Sequence, residues 1–281
     1  MVLRIGSRGS RLALTQAELA VARLRAPGVE FALVPVTTAG DRDRSKPFGE
    51  IGSRGVFVKE LEEALLAHRV DVAVHSAKDM TSTDTAGLSV GAYLPREDPR
   101  DALCGTSELR SGLRIGTASI RRRAQLLALE PGLRIEPLRG NIDTRLRKRG
   151  ERGLDAVVLA ACGLDRLDLA DEIDRRLEPD ELLPEAGQGA LALQVRAGEE
   201  TLVERADDAE TRRRVEAERA CVAAVGGGCL APVAAHHDGT ILTALVADDD
   251  GRWLERRTGT DPVALGRELA RIADAHRSDA A

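Results

Sequence analysis

The sequence predicts an α/β protein with largely parallel sheets: two similar α/β domains followed by a smaller α+β domain. Three observations carry the prediction. Short apolar strands alternate with helices along most of the 281 residues, the pattern of successive βαβ units. A strand–turn–helix signal and a late-strand signal each occur twice, in the same order, as an internal duplication does. After GQGALALQVR the pattern changes to one helix and then short strands joined by Asp-Gly turns.

The elements follow in order. RIGSRGSRLALTQAELAVARL, from Arg4, is a strand, a Gly/Ser turn and a helix. Ser10 is its N-cap, and Leu12, Ala13, Ala17, Ala20, Val21 and Leu24 mark one helical face. VFVKELEEALLAHR is a second helix, with Leu61, Ala64, Leu65 and His68 on related faces. VDVAVHSAKD is a buried strand that turns polar at its C-terminal end. RIGTASI, from Arg114, repeats RIGSRGS, and Ser119 caps the helix after it. DAVVLAACGLDR, from Asp155, repeats the acidic-led apolar strand DVAVHSAKD and breaks into a loop in the same way. In the third region a helix from VEAERACVAAV, strands joined by Asp-Gly and the amphipathic PVALGRELARIADAHR form the α+β domain. The division expected is 1–95 with 188–205, then 96–187, then 206–281. Two α/β domains facing each other would make a cleft, with ligands at the C-terminal ends of the strands.

Composition narrows the function. Aromatic residues are 2% of the chain, so the core is built from Leu, Val, Ala and Ile, and a stacking platform for bases is disfavoured. Net charge is −5, yet LRGNIDTRLRKRGERG, 138–153, concentrates arginine. Lysine occurs only at Lys46, Lys59, Lys78 and Lys148; arginine supplies the rest, a planar fork suited to carboxylate or phosphate. No leader-like or membrane-length apolar run is visible, and a cytoplasmic protein without membrane partner is expected. Cys104, Cys162, Cys221 and Cys229 form no CxxC pair, so no metal site is expected and a reducing compartment is the default.

Several clusters carry candidate chemistry. In SIRRRAQ the first helical turn holds Arg121, Arg122 and Arg123, cations that oppose the helix dipole and so suggest an anion held there. Arg8 and Arg11 stand at the equivalent turn of the first domain. Arg139 falls at a strand end, Arg145 in the following helix and Arg166 after the second late strand, while Arg147 to Arg152 fit a solvated helix side. In HSAKD, Ser76, Lys78 and Asp79 emerge from a buried strand, where a carboxylate can stabilise a cation or move protons. Cys229 stands in a Gly-rich loop; Cys104, Cys162 and Cys221 fit inert packing.

Ten segments in register, RIGSRGSRLALTQA, VTTAGD, GSRGVFVKELEEALL, VDVAVHSAKD, PREDPRDAL, GTASIRRRAQL, LRGNIDTRL, LAACGLDRL, EAGQGALAL and GGGCLAPV, resemble the porphobilinogen deaminase (hydroxymethylbilane synthase) family over almost the whole chain. The resemblance implies two lobes like those of type II periplasmic binding proteins and a third domain carrying a cysteine. That cysteine, Cys229 here, holds a dipyrromethane cofactor by a thioether. It implies Asp79 as the catalytic carboxylate. Ser76, Lys78, Thr117, Ser119, Arg121 and Arg122 would contact the cofactor, and Arg8, Ser10, Gln16, Arg139, Arg145 and Arg166 the substrate. It implies a monomer that joins four porphobilinogen molecules through an azafulvene formed by loss of ammonia, so the arginines face a chain that gains carboxylates ring by ring. Thr81, Arg54, Leu230, Ala231 and Ala234 depart from the residues common in that family. Two rivals are weaker. A non-enzymatic two-lobed binding protein for a small polycarboxylate leaves Cys229 unexplained, and a nucleic-acid binder fits neither the acidic balance nor the scarcity of aromatics.

Overall fold

The computed structural model describes residues 2–38, 58–81, 85–226 and 232–279. They form two compact units, Met1–Glu97 with Gly189–Arg213, and Asp98–Gln188 with Arg214–Ala281.

The first unit begins with β1 (Val2–Arg8), α1 (Arg11–Leu24), β2 (Glu30–Val36), α2 (Lys59–Leu66), β3 (Val72–Ser76) and β4 (Leu88–Tyr93). The second unit opens with β5 (Asp101–Cys104), β6 (Arg114–Gly116), α3 (Ile120–Leu129), β7 (Arg134–Glu136), α4 (Ile142–Glu151), β8 (Ala156–Ala160), α5 (Ala161–Asp165) and β9 (Arg175–Leu177). The chain then returns β10 (Leu191–Arg196) to the first sheet.

The two five-stranded sheets have the orders β2-β1-β3-β10-β4 and β7-β6-β8-β5-β9. In each, three neighbouring strands are parallel and the fourth position runs antiparallel to both its neighbours. The duplication extends to single bonds. Asp71 accepts from Arg4 N at 2.9 Å and returns its own N–H to Arg4 O at 2.8 Å. Asp155 does the same with Arg114, at 2.7 and 2.9 Å. The Gly of each RIG segment is closely packed: a Cβ on Gly6 would lie 3.1 Å from Val70, and one on Gly116 2.8 Å from Leu138 and 2.9 Å from Leu154.

Alternation along β3 explains its burial. Val72 and Val74 join Leu3, Ile5, Ala17 and Ala20 on the α1 side. Ala73 joins Leu61, Leu65 and Val70 on the α2 side. Each fully buried Val or Leu contributes about 1.5–3 kcal/mol relative to exposure. Both late strands depart from the expected loop: β3 continues into a 3₁₀ turn, Ala77–Asp79, and β8 passes directly into α5. His68 is not on the buried face of the second helix; α2 ends at Leu66, and His68 is exposed with φ 53°.

The α+β part of the second unit comprises most of α6 (Ala209–Val225), the antiparallel sheet β11 (Val233–His237), β12 (Leu242–Ala247), β13 (Leu254–Gly259), and α7 (Pro262–Asp279). Leu265, Leu269 and Ala273 of α7 pack on Val233, Ala235, Leu242 and Ala244, as its amphipathic pattern requires. Gly239 closes the expected Asp-Gly turn with φ 117°. Cys104, Cys162 and Cys221 are buried free thiols, and burial pushes those of Cys104 and Cys221 up to about 12. Cys229 and Arg54 lie outside the described residues.

Candidate active site

At the C-terminal edge of the first sheet, the end of β3 is pinned on both faces. On the α1 side Gln16 Nε2 donates to Ser76 Oγ at 3.2 Å. On the α2 side His75 Nε2 lies 3.0 Å from Gln194 Oε1. Gln194 is registered opposite Ala73, so its side chain shares a face with His75 one step along the diagonal. Gln194 Nε2 donates in turn to Glu62 Oε1, and Thr85 Oγ1 to Glu62 Oε2, both at 2.9 Å. The backbone is fixed as well, because Ala77 N donates to Ala190 O at 3.0 Å.

The 3₁₀ turn that follows delivers Asp79 into a pocket with Arg8, Ser10, Gln16, His75 and Ser76, walled by Leu12, Val58 and Leu61. Ser10 accepts from Ala13 N at 3.3 Å, the cap expected for α1. Five expected residues, Arg8, Ser10, Gln16, Ser76 and Asp79, are thus brought together. Lys78 lies on the same turn but is not among the lining residues. Burial lowers the His75 imidazole to about 4, partly offset by its bond to Gln194, so the ring is neutral at physiological pH. One carboxylate, one guanidinium and short polar groups in one pocket suit an acidic ligand that also carries an N–H or a developing positive charge.

The equivalent edge of the second sheet carries the other candidates. Ser119 caps α3 by accepting from Arg122 N at 3.4 Å, and Thr117 Oγ1 accepts from Ser119 N at 3.2 Å. Arg121 and Arg122 are neither a solvated face nor open to water: they are 3% and 5% exposed. The anion they hold is Asp101. Arg121 Nη2 reaches it at 2.8 Å, Arg122 Nη2 at 2.7 Å, and Gln188 Nε2 at 2.8 Å. Burial pushes the Asp101 carboxyl up, but the two guanidinium charges and their hydrogen bonds outweigh it and hold it well below the usual carboxylate range. Arg145 Nε donates to Gly140 O at 2.7 Å on the loop that follows Arg139, and Arg166 caps α5. On α4 the exposed Arg147 pairs with Glu151 at 2.6 Å, and just past its end Arg152 pairs with Glu136 of β7 at 3.0 Å; Lys148 is half-buried instead, its Nζ donating to Arg139 O at 3.4 Å.

His75, Glu62, Gln194, Asp101 and Gln188 were not singled out by sequence reasoning. A charged residue heading the buried run DALC was the available signal for Asp101. Glu218 is a further one: fully buried on α6, it accepts from Gly187 N at 2.7 Å and His237 N at 2.8 Å, tying the EAGQG segment to β11.

A family model described as "Porphobilinogen deaminase, dipyromethane cofactor binding domain" matches residues 3–204, and one described as "Porphobilinogen deaminase, C-terminal domain" matches 212–273. The chain is 45% identical to a porphobilinogen deaminase of Syntrophotalea carbinolica over 99% of its own length and 94% of that protein's. It is 42% identical to that of Bacillus subtilis, over 96% and 92%. Among solved structures, a nutrient-binding protein from Burkholderia cenocepacia bound to methionine aligns with a TM-score of 0.44 at 12% identity, over 75% of this chain and 94% of that one.

Proposed function

The chain belongs to the porphobilinogen deaminase family, and we propose that its reacting pyrrole ring sits in the pocket at the end of β3, with Asp79 as the catalytic carboxylate. The activity is hydroxymethylbilane synthase, a transferase reaction. Four porphobilinogen molecules each lose ammonia and join head to tail, and water releases the linear hydroxymethylbilane.

The observation that carries the assignment of the pocket is the placing of Asp79 and Arg8 in one cavity at a sheet's C-terminal edge. Loss of ammonia from the aminomethyl group leaves a positive charge shared with the pyrrole nitrogen. Ionised Asp79 stabilises that charge and accepts the ring N–H. Arg8 takes a ring carboxylate, and Ser10 and Gln16 orient the remaining polar groups. Arg139, Arg145 and Arg166 serve the carboxylates of the growing chain.

The dipyrromethane group supplies the nucleophilic pyrrole carbon to which the first ring is joined. On this reading Cys229 holds it by a thioether, as an anchor and not as a turnover nucleophile. Ser76, Lys78, Thr117, Ser119, Arg121 and Arg122 hold its polar groups. The residues fit such a polyacid. Arg121 Nε is buried with no hydrogen-bond partner, a donor that a carboxylate would satisfy. We further place the chain in the cytoplasm as a monomer, without nucleic-acid or membrane partner. Its domains divide at 1–95 with 188–205, 96–187 and 206–281. No described helix is long and apolar enough to cross a membrane.

The test is turnover of porphobilinogen by wild-type protein and by Asp79→Ala. Removing one preorganised electrostatic group costs about 10²–10³-fold in kcat. An Asp79→Ala protein within about tenfold of wild type rejects the role.

A further inference from the structure

The hydrogen-bond chain behind His75 has a direction that can be worked out from its far end. Glu62 presents a carboxylate, which accepts and does not donate. Gln194 must therefore turn its NH₂ to Glu62 Oε1, 2.9 Å away, and its Oε1 to His75. An amide oxygen also only accepts, so the donor in the 3.0 Å contact is His75 Nε2. In a neutral imidazole the second nitrogen then carries no proton. Glu62 thus dictates, through Gln194, which nitrogen of His75 is protonated, and Nδ1 is left as the ring's acceptor. Thr85 holds Glu62 in place from its other oxygen at 2.9 Å.

We propose that this relay makes His75 a substrate-contacting residue, with Gln194 and Glu62 as its positioning residues, presenting a neutral acceptor of fixed tautomer to the aminomethyl N–H of the substrate in the pocket where Asp79 takes the ring N–H. The inference rests on the reading of that pocket given above. Neutrality matters because an imidazolium there would oppose the positive charge that Asp79 stabilises and compete with Arg8 for carboxylates. Burial supplies the neutrality. The relay supplies the tautomer, which burial alone does not choose. Neither Glu62 nor Gln194 lines the pocket, so both act through His75.

The experiment is two-bond ¹H–¹⁵N correlation of the histidine rings in the uniformly ¹⁵N-labelled protein near neutral pH. His75 is assigned by the signals lost in His75→Gln. The expected result is the Nε2–H tautomer in wild type. In Glu62→Gln the new amide can donate to Gln194 Oε1 and let that side chain turn, so His75 shifts toward Nδ1–H and kcat/KM falls about tenfold. His75→Gln keeps a donor for Gln194 but loses the Nδ1 acceptor; its kcat falls about tenfold while the protein stays folded. An Nδ1–H or averaged His75 signal in wild type overturns the relay. Wild-type kcat and KM in His75→Gln reduce His75 to a structural support and overturn its contact with the substrate. Near-wild-type turnover by Asp79→Ala sinks the pocket reading instead, and leaves the tautomer result standing.

Discussion

Replacing Asp101 by Asn isolates the buried charge cluster of the second unit. Asp101 opens β5 opposite Ala160 at the end of β8, with no exposed surface. Asn keeps the shape and can still accept from Gln188. It removes the charge that holds Arg121 and Arg122, which are 3% and 5% exposed and cannot regain water without moving. Breaking a buried pair from one side costs about 3–5 kcal/mol, because it strands the remaining charge. For a unit of this size each kcal/mol shifts the melting midpoint by about 2–4 °C, so Asp101→Asn should melt roughly 10 °C lower. The pH dependence has a definite sign. The folded carboxyl is held below its ordinary value, so its contribution is present in full above about pH 5. The gap between wild type and variant narrows as pH falls below about 4 and vanishes only in stronger acid. Calorimetric scans of both proteins at neutral and acid pH measure this. A drop below about 2 °C at pH 7 refutes the assignment of Asp101 as the counterion of the arginine pair.

Other outcomes follow from the same geometry. The folded His75 titrates near 4 against an ordinary 6.5, so the unfolded chain takes up a proton between those values that the native chain refuses. Wild-type stability should therefore fall by roughly 3 kcal/mol as pH drops through that window and then level off. His75→Gln should remove this segment of the slope; an unchanged slope assigns it to other groups. Gly116→Ala should cost about 1–3 kcal/mol in urea unfolding, because its Cβ would stand 2.8 Å from Leu138 and 2.9 Å from Leu154. A neutral result there shows that these leucines move aside freely.

The sequence made the repeated architecture readable because the repeat is physical. In both Arg–Ile–Gly segments the Gly lies close against Val70 or Leu138, and an Asp recurs at the head of the third parallel strand of each sheet to close a bond with Arg4 or Arg114. Caps Ser10 and Ser119 were legible because capping is local. What local pattern could not give was pairing across long separations. Asp101 looked like one more acid in PREDPRDAL until the fold set it under α3, and Gln194 is 119 residues from His75. The same limit explains Arg121 and Arg122. Their cationic helix start points to an anion, and the fold supplies one that the local pattern does not show, the buried carboxylate of Asp101.

On the proposed reading, this chain builds hydroxymethylbilane on a covalent primer held by Cys229. Intact-mass measurement of the purified protein, with peptide mapping of the segment containing Cys229, tests it most directly. The predicted result is an excess equal to two linked pyrrole units, localised to that cysteine and present before substrate is added or acquired on incubation with porphobilinogen. A chain that stays unmodified at Cys229 after that incubation contradicts the account.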